Sequence, residues 1–450
     1  MTRDEGFLGW RAVHLDNGLV RAVVVPDVGG RVLQFWLREH AFLFVNRSLA
    51  GRLFTPEENW GDGTIASWRN YGGNKTWPAP QGWDGPDQWA GPPDPVLDSG
   101  RFQTLVAEPL RAVVQSPPDP RTGLQITREL SLEPRAARAR LRRTMRNVSQ
   151  RPVRWSLWDV TQLDCSATLP RGGPHHGNVA SMVGGSAAER ADEADFIGAE
   201  RMSDGVRPGC WMTVPVNPRS RFPNGYRVQY GPQDNRQWRT TQYPGLFGIE
   251  YAAELGKVGL DSTAGWVAFS DTRDEWAFVH QFAVDPGATY PDGGATVEVW
   301  THGPGIAAGV DFGQERLRGR FMEMEVLGPL VDLLPGEESS ADITWAACRC
   351  PGPILEVSEA ACTAQRLEVQ RQAGGWRVRG TFGVFAPGRI QLRAGSRVVL
   401  ERSAGPLEPV RLDDVISGPA PFELTLVALE AAGGAPPIAV ARVETELTAP

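Results

Sequence analysis

Short runs rich in valine, leucine and phenylalanine, each closed by a turn signal, constrain this chain more than any other feature. Residues 10–46 read WRAVHLDNGLVRAVVVPDVGGRVLQFWLREHAFLFVN, punctuated by Asp16-Asn17-Gly18, Pro26-Asp27 and Gly29-Gly30. This pattern predicts a β meander, with the glycine pair allowing a tight turn or bulge. The rhythm returns over residues 101–165 and again from Trp266 to about Arg349, with a less regular stretch between. Repeated short strands with few helical periodicities predict an all-β sandwich or barrel rather than an α/β fold. Pro351-Gly352-Pro353 then breaks the chain, and alternation resumes to the end. Residues 1–350 are therefore expected to form one large β domain and 351–450 a small accessory β-sandwich. No cluster with chemical promise stands out after 351, so packing or an interaction surface is expected there.

The stretch WRNYGGNKTWPAPQGWDGPDQWAGPPDP, Trp68 to Pro95, departs from this rhythm and holds four of the sixteen tryptophans. Its proline density argues against helix and against a central strand, leaving a long, stiff loop. Indoles interleaved with amides, carboxylates and a lysine suit a sugar, whose C–H face stacks on the ring while polar groups read its hydroxyls. The same stretch could equally be a tryptophan-rich plug over one end of a barrel or sandwich. Both readings are open at this point.

A net charge of −7 argues against a nucleic-acid backbone as partner. The five cysteines form no CxxC pair, and Cys348-Arg349-Cys350 has the wrong spacing for a zinc knuckle. Reduced thiols in a cytosol, with no metal and no cofactor, are the expectation. The start MTRDEGFLGW has no apolar signal-like segment, and no apolar run reaches membrane-spanning length. These features predict a cytoplasmic protein with no membrane partner.

Strand alternation gives the sharpest local inference. In RFMEMEVLGP, Glu323 and Glu325 share one face of a strand while Met322, Met324 and Val326 share the other. Two neighbouring carboxylates would raise one pKa, which suits acid–base chemistry; the alternative is a solvated strand face. VEVWTHGPG places Glu298, Trp300 and His302 on one face by the same rule. In RWSLWDVTQLD, Asp159 and Thr161 share a face, and Trp158 and Gln162 share the other. His175-His176, in a Gly/Pro-rich segment, could be a metal pair or a catalytic loop, but adjacent side chains on extended backbone diverge, which argues against joint metal ligation. His14, His40 and His280 look like ordinary strand or turn residues. Neither GxSxG nor a P-loop is present.

In their order, NGLVRAVVVPDVGGRVLQFWL, YGGNKTWPAPQGW, WDVTQLD, VEVWTHGPG and MEMEVLGPLVDLLPGEESSADITW resemble the galactose mutarotase-like superfamily. More narrowly, they resemble the domain-of-unknown-function 4380 family, over roughly residues 8–349. The resemblance implies a large antiparallel β-supersandwich with a carbohydrate site on its concave face. It also implies a catalytic glutamate on the late strand, at Glu325 or Glu323. YGGNKTWPAPQ would supply sugar-gripping groups in Asn74 and Lys75, and VEVWTHG would bring Trp300, Thr301 and His302 near the site. Trp77 and Trp300 are the expected stacking platforms, and Tyr71, Asp159, Gln162 and Arg31 complete the candidate substrate-binding set. The chain departs from the family pattern at one point: Trp158 or Asp159 stands where mutarotases carry a catalytic histidine. The expected function is carbohydrate binding with proton transfer at the anomeric carbon, as in an aldose 1-epimerase, on a small-molecule sugar. The alternatives are a non-catalytic sugar sensor or scaffold, and a lyase or glycoside hydrolase on the same fold, which would need a paired-carboxylate arrangement or a tyrosine base, Tyr71 being the tyrosine in the key stretch.

Overall fold

The computed structural model describes residues 6–81, 89–166, 209–307, 309–312, 319–372, 375–417, 423–430 and 437–442. His175 and His176 lie outside the described residues. The chain is all-β, as its rhythm predicts, and two large antiparallel sheets carry most of it. The longest path of the eleven-stranded sheet runs Arg227–Tyr230, Gly256–Leu260, Val297–Thr301, Phe321–Leu327, Val153–Asp164, Asn74–Ala79, Arg31–Leu37, Val20–Val25 and Val13–Asp16. The ten-stranded sheet includes, in neighbouring order, Trp266–Asp271, Trp276–Phe282, Glu338–Arg349, Arg138–Asn147 and Leu124–Leu132.

The inner faces of the two sheets meet in one large core. Phe35 of the first sheet lies 5.6 Å from Phe278 and 5.7 Å from Trp345 of the second, both edge to face. Met322, Met324 and Val326 join this core, so the period-two pattern of their strand is realised. The turn at Gly29-Gly30 has a steric reason. Gly29 takes φ 74°, and a Cβ there would stand 2.0 Å from the Asp98 carbonyl oxygen. Only glycine fits that approach.

The tryptophan-rich stretch is not wholly a loop. Asn74–Ala79 forms a fully buried strand inside the eleven-stranded sheet. It pairs with Val153–Asp164 from Asn74 to Ala79, but with Arg31–Leu37 only at Asn74. Pro78 is tolerated because one flank of the strand is almost unpaired, so its missing N–H removes little from the ladder.

After residue 351, two four-stranded sheets enclose a core that includes Phe382, Ile390, Leu392 and Leu426. This part is joined to the large sheets by more than the chain. Ala137 N donates to Phe385 O at 2.7 Å, Arg349 N donates to Pro406 O at 2.7 Å, and Phe385 shares a cluster with Ala346 and Cys348.

Candidate functional site

The outer face of the eleven-stranded sheet carries a buried row of charge. Register builds it: Glu325 lies opposite Val160 and Glu298, and Glu323 lies opposite Gln162 and Trp300. Lys257 is paired with Trp300 and Lys75 with Val160, so a lysine enters from each side. Lys75 Nζ stands 3.0 Å from Glu323, and Gln162 donates to the same oxygen at 2.7 Å. Lys257 Nζ stands 2.8 Å from Glu298 and 3.1 Å from Glu325. Trp158 donates its indole N–H to Glu325 at 2.9 Å. This face is not solvated: Glu298 and Glu325 are 0% exposed.

Environment separates the two glutamates of the Phe321–Leu327 strand. Burial pushes the Glu323 carboxyl up, but Lys75 and Gln162 outweigh it and hold the group below its usual range. For Glu325 burial prevails over Lys257, and Glu298 and Glu323 add to it, pushing the carboxyl up to about 8. Neighbouring carboxylates with divergent pKa values are what acid–base chemistry requires. Burial lowers Lys75 against the pull of Glu323, whereas at Lys257 Glu298 and Glu325 outweigh burial and raise it.

Indoles wall this row. The Trp77 ring lies 6.0 Å from Trp68, 5.0 Å from Trp89 and 5.4 Å from Trp158. Lys75 Nζ sits 4.5 Å from the Trp77 ring centroid, and Lys257 Nζ 4.5 Å from that of Trp158. These cation–π contacts help keep two ammonium groups under aromatic cover. Asp98 orients the wall, accepting from Trp68 at 2.9 Å and Trp77 at 3.1 Å. A cavity of about 50 Å³ opens among Trp68, Trp77, Trp158, Trp300, His302 and Glu323. Glu323 lines it; Glu325 lies behind. The His302 ring stacks on Phe321 at 4.4 Å.

The structure thus brings Glu323, Glu325, Lys75, Trp77, Gln162, Trp300 and His302 to one face. It does not bring the other candidates there. Asn74 and Asp159 point into the sandwich, where Asn74 donates to Asp159 at 2.8 Å and Arg128 donates to Asn74. Their strands alternate polar residues on both faces, and the inward set is answered by arginines from the other sheet. Arg31 is 0% exposed and donates to Asp98 and to Gly72 O, so it holds the carboxylate that holds Trp68 and Trp77. Tyr71 is also 0% exposed, packed against Trp10 at 6.1 Å, and burial pushes its hydroxyl up to about 12. That removes Tyr71 from the cavity and, with it, the tyrosine route of the lyase reading. Lys257, Trp68 and Asp98 are members that sequence reasoning missed. A lone lysine in the buried strand GKVGL is the signal that could have found the first.

Among the described residues no cluster of three or more metal-ligating side chains occurs, and no helix is long and apolar enough to cross a membrane. A search of curated proteins returns no match. Similar solved structures include the Slr1438 protein from Synechocystis sp. PCC 6803, 12% identical, covering 78% of this chain and 98% of that one with TM-score 0.42. A galactose mutarotase-like protein from Lactobacillus casei ATCC 334 is 9% identical, covering 75% of this chain and 99% of that one with TM-score 0.41. A galactose mutarotase related enzyme from Lactobacillus acidophilus is 8% identical, with coverage of 77% and 100% and TM-score 0.40. Residues 11–170 match the family model described as Domain of unknown function (DUF4380), the family that the early strands and the tryptophan-rich stretch resemble.

Proposed function

We propose that the tryptophan-walled cavity binds a small neutral sugar and interconverts its anomers by proton transfer at the anomeric carbon. One observation carries this reading: Glu323, held ionised by Lys75 and Gln162, lines the same cavity as His302. Glu323 takes the proton of the anomeric hydroxyl while His302 gives a proton to the ring oxygen. The C1–O5 bond then breaks to the open-chain aldehyde, rotation about C1–C2 presents the other face, and the reverse steps close the ring. The indole faces stack on the sugar and exclude water, which strengthens every charge–dipole interaction inside. The cavity is smaller than the several hundred Å³ of common ligand pockets. Half-buried Ile65, which lines it without a side-chain hydrogen bond, is the side chain that yields to admit a pyranose.

The test is proton NMR on a panel of aldoses, reading saturation transfer from the protein and anomer exchange together. Binding with accelerated exchange is expected for at least one aldose. Absence of both across the panel would contradict the proposal. A second reading, a sugar-binding protein without turnover, draws on the departure from the resemblance, in which Trp158 or Asp159 stands where a catalytic histidine is called for, with Trp158 committed to Glu325. Saturation transfer without exchange would favour it.

A further inference from the structure

The interior of the sandwich carries a guanidinium with unpartnered N–H groups among the described residues. Arg128 and Arg143 stand opposite each other on paired strands, and both are buried. The buried carboxylate that answers both is Asp159, from the opposite sheet. Arg128 is engaged, donating to Gly30 O and to the Asn74 side chain. Arg143 is 1% exposed, yet its Nε and Nη1 find no hydrogen-bond partner among the described residues. His280 adds no charge beside it, because burial and then Arg143 hold the imidazole well below its ordinary value. Arginine does not shed its proton in proteins, and the carboxylates that act on Arg143 are Asp159 and Asp342, the second already shared between Arg140 and Arg142. A buried guanidinium whose N–H groups lack acceptors is costly, and a ligand that brings acceptors removes that cost.

Arg143 also lines a cavity of about 810 Å³, distinct from the tryptophan-walled one. Its size is that of a small-molecule site. Two lining carboxylates are already answered by arginines: Glu133 accepts from Arg138 at 2.7 Å, and Asp342 accepts from Arg140 at 2.7 Å and Arg142 at 2.9 Å. Two more, Asp285 and Glu359, are exposed. Phe282, Leu327 and Pro329 supply apolar wall. Tyr290 accepts from Asp285 N at 3.0 Å, which leaves its hydroxyl proton for a ligand. We propose that this cavity binds a small organic carboxylate, its two oxygens on the Arg143 guanidinium and its hydrocarbon body against Phe282, Leu327 and Pro329. The planar fork of a guanidinium matches a carboxylate in two parallel hydrogen bonds, a match a lysine cannot make.

Titration calorimetry and thermal unfolding of the full chain test this, with phenylacetate as probe, phenylacetamide as its uncharged counterpart, and inorganic phosphate as a second anion. Phenylacetate is expected to bind saturably and raise the unfolding midpoint, phenylacetamide to bind at least tenfold more weakly, and Glu323→Gln to leave phenylacetate binding unchanged. Arg143→Met is expected to abolish binding. If that variant does not fold, Arg143→Lys, which keeps the charge and loses the fork, is expected to weaken binding at least tenfold. No saturable binding of phenylacetate, equal binding of the amide, or full affinity in Arg143→Lys would overturn the proposal. Loss of binding in Glu323→Gln would overturn it too, by moving the ligand to the other cavity. Binding of phosphate alone would overturn the carboxylate assignment.

Discussion

At the scale of single residues, two glutamates one alternation apart differ because of what stands beside them. Glu323 has an ammonium and an amide on one oxygen, whereas Glu325 shares Lys257 with Glu298 and has one oxygen without a hydrogen-bond partner among the described residues. Glu325 therefore makes folding depend on pH. Its folded value is raised from 4.5 to about 8, so between those values the unfolded chain has released a proton that the folded chain retains. The stability this proton confers is full below the lower value and is lost as pH rises through the upper one. Glu325→Gln cannot titrate, and Lys257 keeps Glu298 as partner. Urea unfolding at pH 5 and pH 8 is expected to show a smaller loss of stability in the variant, by about 3 kcal/mol as an order of magnitude. Parallel pH dependences in the two proteins would contradict this account of Glu325.

At the scale of elements, the wall of the cavity hangs on one carboxylate. Asp98 accepts from Trp68, Trp77 and the fully buried Arg31, joining the loop before the Asn74–Ala79 strand to that strand and to Arg31–Leu37. Asp98→Ala leaves Arg31 buried without its counter-charge, and a loss of about 3–5 kcal/mol is expected in chemical unfolding. Stability within 1 kcal/mol of the parent, roughly the value of a surface pair, would show that Asp98 is not the organiser. This element also shows what was legible in the sequence. The faces of the Phe321–Leu327 strand could be read from alternation, because one face is apolar. The faces of Asn74–Ala79 and Val153–Asp164 could not, because polar residues occupy both. The inward assignment of Asn74 and Asp159 depends on Arg128 and Arg143, which arrive from another sheet and are invisible to any local pattern. The strand at Asn74–Ala79 was hidden by Pro78, whose acceptability depends on a flank left almost unpaired.

At the scale of the whole molecule, the small β-sandwich after residue 351 covers apolar surface of the ten-stranded sheet. Phe385 packs with Ala277, Val279, Ala346 and Cys348, and Gly383 lies so close that a Cβ there would stand 2.4 Å from Cys348 Sγ. We expect the full chain to unfold in one cooperative transition and a chain ending at residue 350 to melt at lower temperature and self-associate through the uncovered patch. Two separate transitions, with the shortened chain melting where the parent's first one does, would show the parts to be independent.

The measurement that bears most directly on the central claim is anomer exchange, followed by exchange NMR on a responsive aldose in Glu323→Gln and Glu325→Gln side by side. The arrangement predicts that Glu323→Gln slows exchange by about 10²–10⁴-fold, the usual effect of losing a general base, with sugar still bound. Glu325→Gln, altered behind the cavity, is predicted to keep exchange within about tenfold of the parent, well inside that range. Unchanged exchange in Glu323→Gln, or a loss confined to Glu325→Gln, would contradict the assignment of Glu323 as the working base.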